Sequence, residues 1–248
     1  MINKACSVLH GAIFMVPRHR LVEVMLNFNL GLISVDESRY NGNSGGYGGC
    51  GKREELEIRA KLFLQDFDLD SAADSIEAVL RHIGTTHLDS LHVAVPAVAS
   101  GAIGISSGMK ERDDDYWRRL AQFKDLWGTV ESIANKGKIT SIGLCNVDTE
   151  TLKLIYEGAD KVKPGSILVN LRSCCVVPED MTEFARANGL RLLTHSDPEV
   201  MLDEAALERG VGGEENLGPD YVIRYQIMDK ERGVLKDKRY IVRLKRKL

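Results

Sequence analysis

The stretch that decides the fold is GKITSIGLCN, which runs from Gly137 to Asn146. Residues 139–144 form a short apolar run rich in β-branched side chains, which predicts a strand, and this strand leads into the polar Asn146. From Glu57 onward, runs of this kind alternate with longer segments of helical period. Such alternation is typical of repeated βα units around a parallel sheet.

Five further runs predict strands at 58–64, 90–95, 167–171, 190–194 and near residue 240. Apolar residues at helical spacing predict amphipathic helices over 70–82 and 116–134. Pro178 and the two acidic residues after it predict a third helix, which ends at Asn188-Gly189. Asp197-Pro198 predicts the N-cap and first turn of a fourth. We expect the small, polar and then charged segment 100–115 to be a loop on the face where barrels carry their sites.

Composition restricts the class of protein. The chain has 248 residues, 44% of them hydrophobic, which suffices for one core in a single domain. Its 33 basic and 36 acidic residues give a formal net charge of -3, so no nucleic-acid partner is expected. Without an apolar run of membrane-spanning length or a leader pattern, we expect no membrane partner and a cytoplasmic location. Five scattered cysteines indicate reduced thiols, and the basic run 243–247 is interpreted as a solvated tail.

The first 52 residues differ from the rest of the chain. Residues 1–35 lack a clean apolar period and 41–51 are rich in glycine, so 1–52 is predicted to be a divergent, partly flexible segment ahead of a barrel over 53–248. Residues 46–51 match the dinucleotide pattern GxGxxG, and Lys52 nearly completes a phosphate loop. Either motif requires a strand directly before it and a long helix behind it. The sequence provides neither, which favours a flexible loop.

Cysteine and histidine give two weak candidate sites. Cys174 and Cys175 with His195 suggest a thiol nucleophile and its base, but adjacent cysteines at a strand end are usually small buried hydrophobic residues, and no orienting third group is identifiable. These residues also lack the CxxC or HxxxH spacing that lets ligands converge, so no metal site is predicted. His92 lies within a predicted strand and is interpreted as a packed or rim residue.

The stretch 137–146 resembles the GKxRxIGxSN segment of the aldo-keto reductases, in which a strand ends in a polar pair facing the nicotinamide. Residues 88–96 resemble that family's (L/V)DLxxxHxP strand, and 59–62 resemble the strand that ends in its catalytic lysine. Further on, 162–170 resembles KPxxNQVE and 221–225 resembles the helix that begins ALRW. The resemblance implies an α/β fold, a (β/α)8 TIM-type barrel of the aldo-keto reductase type that is shortened or irregular at its N-terminus and C-terminus.

The same resemblance implies a degenerate reductase site. Aldo-keto reductases use a tyrosine as general acid, tuned by a lysine and an aspartate, beside a histidine that orients the carbonyl. Lys61 matches the lysine and Asn146 remains from the nicotinamide side, whereas Ala94 stands at the histidine position and Leu168 at that of the glutamine. The nearest candidate for the aspartate–tyrosine element, 36–40, is one residue too short. We therefore expect no catalytic residue and no cofactor, with Lys61 and Asn146 as vestigial positions.

A closer resemblance is to the glutamate–cysteine ligase regulatory (modifier) subunits within the same superfamily. Residues 169–178 (VNLRSCCVVP) and 192–198 (LLTHSDP) resemble that family's QVNLxSCCVxP and LLTHxDP segments. Residues 60–63 resemble its AKLF strand, and 232–241 resemble its end.

This resemblance implies a non-catalytic subunit that forms a heterodimer with the ligase catalytic subunit, improves its use of glutamate and weakens feedback inhibition by glutathione. The loop 100–115 and the basic C-terminal end are candidate partner-binding segments, and Cys174 and Cys175 are candidate partner or redox contacts. One alternative is an active or residual NADPH-dependent aldo-keto reductase. Another is a free-standing module that binds a small ligand in the vestigial pocket beside Lys61 and Asn146.

Overall fold

The computed structural model describes residues 21–29, 32–35, 51–94, 114–172, 176–198, 201 and 217–246. Within these ranges, one nine-stranded sheet carries four helices. The strands are β1 (Leu21–Asn29), β2 (Leu32–Val35), β3 (Leu56–Leu64), β4 (Leu88–Ala94), β5 (Ile139–Cys145), β6 (Ser166–Asn170), β7 (Arg191–His195), β8 (Leu217–Asp229) and β9 (Leu235–Arg246). The helices are α1 (Leu69–Ile83), α2 (Asp114–Asn135), α3 (Thr149–Gly158) and α4 (Glu179–Ala187). None of these helices has both the length and the hydropathy needed to span a bilayer.

The middle of the sheet is a run of parallel strands. The sheet order is β2-β1-β9-β8-β3-β4-β5-β6-β7, and each neighbouring pair from β3 to β7 is parallel. One helix follows each of the first four of these strands, so the predicted βα repeat and the α/β fold class are confirmed. The expected irregularity at the two ends takes the form of antiparallel hairpins, β1–β2 and β8–β9, which pair with each other through β1 and β9. Among the described residues, β2 and β7 are the edges of the sheet.

The helices begin and end where local chemistry dictates. Asp68 caps α1 by accepting a hydrogen bond from the Ser71 amide at 3.0 Å, and Gly84 ends it in the left-handed conformation that glycine adopts without strain. α3, which the sequence analysis missed, has the same kind of cap, because Asp148 accepts from the Thr151 amide at 2.7 Å. α4 follows Pro178 and ends at Asn188-Gly189, as predicted.

The sheet is curved, with one apolar and one polar face. Alternate residues of β3 such as Ile58 and Leu62 are fully buried in the core, whereas Arg59 and Lys61 lie on the opposite, polar face. Four inter-strand steps of about 4.8 Å would separate β3 from β7 by about 19 Å in a flat sheet. Yet Lys61 Nζ on β3 lies 3.2 Å from His195 Nε2 on β7. The polar face is therefore concave.

Two sequence interpretations are wrong. Residues 221–225, expected to begin a helix, lie in β8, which pairs with β3 from Leu56 to Leu64. The basic run that was interpreted as a solvated tail lies, as far as residue 246, in β9. Arg243 in this run is buried, and its guanidinium donates to Asp220 at 2.6 Å and to Asp74 at 2.7 Å. An arginine buried with two carboxylates is part of the fold rather than of a tail.

The N-terminal segment joins the same sheet, since β1 pairs with β9 from Leu21 to Leu26. The division at residue 52 stays a prediction. Several predicted features lie outside the described residues: the glycines of 46–50, the segment 36–40, the loop up to residue 113, and Cys174 with Cys175. The helix predicted after Pro198 also lies outside them.

Candidate functional site

A cavity of about 470 Å³ opens on the concave face of the sheet. Side chains from β3, β4, β6, β7 and β8 line it, so it lies inside the curve of the parallel strands. Its charged and titratable lining residues are Arg59, Lys61, His92, His195 and Arg224. Among the lining residues that the structure describes, none is a tyrosine, the residue type that serves as general acid in a reductase.

Asp197 is the centre of the charged network beside this cavity. It follows β7, and its Oδ2 accepts from Lys61 Nζ at 2.8 Å and from Arg224 Nη2 at 3.1 Å, while Oδ1 accepts from Arg224 Nη1. Burial by itself raises the pKa of Asp197, but hydrogen bonds from His195, Arg224 and Lys61 hold that pKa well below its usual range. Asp197 is therefore an ionised carboxylate shared by the basic side chains of Lys61 and Arg224.

His195 is held in place by polar partners on both ring nitrogens. Its Nδ1 accepts from the Asp197 backbone amide at 3.1 Å and faces Lys61 Nζ, a pure donor, at 3.3 Å. Its Nε2 lies 2.9 Å from Asn146 Oδ1, an acceptor. Nδ1 also lies 3.2 Å from Asp197 Oδ2, and Nε2 lies 3.2 Å from Lys61 Nζ, so both ring nitrogens contact the charged network.

Asn146 reaches His195 from a strained backbone position. It follows β5 with φ of 60°, a left-handed conformation that costs most side chains energy but that asparagine tolerates better than most. The backbone amide of Asn146 donates to the Leu168 carbonyl at 3.1 Å, and this hydrogen bond attaches the turn to β6. Lys61 and Asn146, the two positions that the sequence predicts to be vestigial, therefore both contact the ring of His195.

Cys145, His195 and Asp197 are arranged in the order of a thiol–imidazole–carboxylate triad. Its Sγ lies 3.2 Å from His195 Nε2, and His195 Nδ1 lies 3.2 Å from Asp197 Oδ2. Burial raises the pKa of the Cys145 thiol to about 11, and its side chain is inaccessible to solvent. A buried thiol with a raised pKa is not in the thiolate form that nucleophilic catalysis requires.

Two further positions of the expected reductase site have apolar side chains, Ala94 and Leu168. Ala94 is buried beside Cys145, its neighbour in the β4–β5 register, and Leu168 lines the cavity. His92, interpreted as a packed residue, is buried, with Nε2 at 2.9 Å from Ser166 Oγ. Burial first, and then the charge of Lys61, lower the pKa of His92 to about 3, so its ring is neutral.

The sequence analysis missed three members of this network: Cys145, Asp197 and Arg224. Asp197 stands in the THSDP segment and was interpreted as an N-cap, although its carboxylate points to Lys61 and Arg224. Arg224 lies in the segment 221–225, for which the sequence predicts a helix. An arginine within an alternating apolar run, as at 221–227, is the signal that marks it as an inward-facing strand residue.

The aldo/keto reductase family model matches residues 45–197. The glutamate–cysteine ligase regulatory subunit of Homo sapiens is 32% identical over 205 residues, which cover 79% of this chain and 69% of that protein. The putative regulatory subunit of the same ligase from Schizosaccharomyces pombe is 27% identical over 77% of this chain and 72% of its own length. A crystal structure of an aldo/keto reductase from Brucella melitensis superposes with a TM-score of 0.45 at 16% identity, over 58% of this chain and 48% of that one. The chain thus belongs to the aldo/keto reductase family and, within it, to the family of glutamate–cysteine ligase regulatory subunits.

Proposed function

We propose that this chain is a non-catalytic, cytoplasmic regulatory subunit that binds the catalytic subunit of glutamate–cysteine ligase as a heterodimer. In this role it raises the affinity of the ligase for glutamate and weakens feedback inhibition by glutathione. The regulatory part of the proposal is supported by relatives that carry this name in both Homo sapiens and Schizosaccharomyces pombe.

The absence of catalysis is supported by one observation above the others, the engagement of Lys61. A reductase needs this lysine to tune a tyrosine acid. Here the ammonium group donates to Asp197 at 2.8 Å, lies against both ring nitrogens of His195, and is almost inaccessible to solvent. Together with the lack of a tyrosine among the cavity-lining residues that the structure describes, these contacts support a structural role for Lys61.

A regulator of this kind works by binding one conformation of the ligase more tightly than another. The shift in glutamate affinity cannot exceed the ratio of those two affinities, and the coupling is reciprocal. Glutamate must therefore tighten the heterodimer by the same factor by which the heterodimer tightens glutamate binding.

The test is to add the purified chain to a ligase catalytic subunit and to measure glutamate dependence and glutathione inhibition, with heat-denatured chain as the control. We expect a lower KM for glutamate and a higher inhibition constant for glutathione. An unchanged ligase would refute the proposal. Titration with NADPH, followed by nucleotide fluorescence and carbonyl turnover, tests the reductase alternative, for which the proposal expects no turnover.

The partner-binding segments need a revised test because the basic C-terminal run belongs to β9. Deleting that run removes buried ion pairs of the sheet, so a lost complex would report unfolding. Deletion of the loop 100–113 alone, with complex formation measured on a sizing column, is the cleaner experiment. Non-reducing electrophoresis of the pair with Cys174→Ser and Cys175→Ser tests whether either thiol bonds to the partner; an adduct that survives both substitutions would exclude them.

A further inference from the structure

The cavity on the concave face carries more positive than negative charge. Its cations are Arg59, Lys61 and Arg224. Arg59 donates to Glu57 at 2.7 Å, while the carboxylate of Asp197 serves both Lys61 and Arg224. These three basic side chains thus share the two carboxylates that they contact directly. A surplus charge in a partly desolvated cavity is costly unless an anion compensates it.

The strand register explains how the cations come together. Lys61 and Arg224 are directly opposite each other in the β3–β8 pair, an arrangement that destabilises a sheet unless an anion lies between them. Asp197 is that internal anion. Arg59, two residues before Lys61, lies on the same face opposite Gln226. The side chain of Arg59 is 42% exposed against 4% for Lys61, so an entering anion meets Arg59 first.

The wall across from these cations is apolar. Leu168 on β6 and Leu193 on β7 line the cavity, and they are neighbours in the parallel register. Leu193, on the edge strand β7, is 38% exposed. A cavity with an apolar wall and a few convergent polar groups is the usual form of a small-molecule site, and a volume of about 470 Å³ suits a metabolite-sized ligand.

We propose that this cavity binds a small organic carboxylate, whose carboxyl group contacts Arg59 and Gln226 and whose hydrocarbon part covers Leu168 and Leu193. The proposal concerns the isolated chain and does not depend on the ligase. The sequence leaves open a free-standing module that binds a small ligand in the pocket beside Lys61 and Asn146. The proposal names the chemical class of that ligand and adds contacts that Lys61 and Asn146 alone do not provide.

Calorimetry on the full chain tests the proposal, with butyrate, formate and inorganic phosphate as probes at constant ionic strength in chloride. We expect butyrate to bind about tenfold more tightly than formate, because its methylene groups cover the leucine wall. Phosphate should bind more weakly than butyrate. Equal affinities for all three anions, or a preference for phosphate, would overturn the assignment.

Variants of single charges make the test specific. Arg59→Gln should weaken butyrate at least about tenfold, as expected for loss of a charge-assisted hydrogen bond. Lys236→Gln, on β9 away from the cavity, removes the same charge and should leave the affinity unchanged. Leu193→Asn should weaken butyrate but not formate. Equal losses in Arg59→Gln and Lys236→Gln would show that the anion senses only net charge and would refute the site.

For Asp197→Asn we expect tighter carboxylate binding, the opposite of the change expected for Arg59→Gln. Removing the internal carboxylate leaves Lys61 and Arg224 facing each other, so an external carboxylate should bind more tightly than in the original chain and should raise the thermal midpoint of the variant. If the variant does not fold, the Arg59 and Leu193 substitutions decide alone. Weaker butyrate binding by a folded Asp197→Asn variant would contradict the proposal.

Discussion

At the scale of single residues, Asp197 matters because it keeps two like charges on adjacent strands. Lys61 and Arg224 face each other across β3 and β8, and both are almost fully buried. Removing one partner from a buried charge group leaves the others unpaired, which costs far more than the loss of a surface ion pair. The stability of the concave face therefore depends on one carboxylate.

We predict that Asp197→Ala lowers the free energy of unfolding by about 3 kcal/mol, the usual cost of breaking a buried charge pair. Urea denaturation at neutral pH and low anion concentration measures this loss. Asp115→Ala, which removes a partly exposed carboxylate paired with Arg118 and Arg119 on α2, is the matched control and should cost much less stability. Equal losses in the two variants would contradict the structural role of Asp197.

His92 predicts a dependence of stability on pH. Its pKa is about 3 in the fold and about 6.5 in an unfolded chain, so the unfolded state takes up the proton first as the pH falls. The contribution is fully present above about pH 6.5 and is lost toward pH 3. Between pH 7 and pH 5 it removes about 2 kcal/mol. His92→Asn should lose correspondingly less stability over this interval in urea titrations; identical slopes would show that His92 takes up its proton without unfolding.

At the scale of elements, β5 leaves no room for a side chain at Gly143. Gly143 pairs with His92 on one side and with Ser166 on the other. A Cβ added there would lie 2.4 Å from Ser166 Oγ, 2.7 Å from His92 Cδ2 and 2.8 Å from the Ser166 carbonyl oxygen. The glycine inside the stretch that decides the fold is thus required by the close approach of its neighbours.

Gly143→Ala is therefore expected to destabilise the protein by about 2 kcal/mol or more, because the clash includes backbone. Gly128→Ala in α2 is a matched control of opposite sign, since a Cβ there meets nothing within 4 Å and alanine favours helices by about 1 kcal/mol. Thermal denaturation of both variants measures the contrast. Two shifts of the same sign would mean that the packing around β5 is looser than the structure shows.

Local patterns in the sequence predict some of these elements and not others. The runs that became β3 to β7 are short, apolar and separated by helical periods, so each can be recognised by itself. β8 was assigned to a helix by resemblance, although Tyr221, Ile223, Tyr225 and Ile227 alternate with the period of a strand. The charged network is a different case. Lys61 and Asp197 are 136 residues apart, and no local pattern reports a contact that depends on the curvature of the whole sheet.

At the scale of the whole molecule, β9 joins the two parts of the sheet. It pairs with β8 on one side and with β1 on the other. Arg243 also connects it to α1 through Asp74 and to β8 through Asp220. Burial by itself lowers the pKa of Arg243, but hydrogen bonds from its guanidinium to Asp74 and Asp220 raise it overall, so the ion pairs persist over the ordinary pH range.

We predict that Arg243→Gln lowers the free energy of unfolding by about 3 kcal/mol, because Asp220 would keep a buried charge with fewer partners. Lys238→Gln on the same strand is exposed and should be nearly neutral. Chemical denaturation of both variants distinguishes a structural strand from a tail. If Arg243→Gln proved as mild as Lys238→Gln, the ion pairs of β9 would contribute nothing to stability.

The contacts of Asp197 have a mechanical consequence. Within the described residues, the segment after β7 meets β3 and β8 through side-chain charges and not through a ladder of backbone hydrogen bonds. The distance between β7 and β3 thus depends on the side-chain contacts of Asp197 and His195 with Lys61 and Arg224, and not on strand pairing. A ligand that contacts Arg224 or Lys61 would therefore act on the ion pairs that hold the end of β7 near β3, and not on the backbone hydrogen bonds of the sheet.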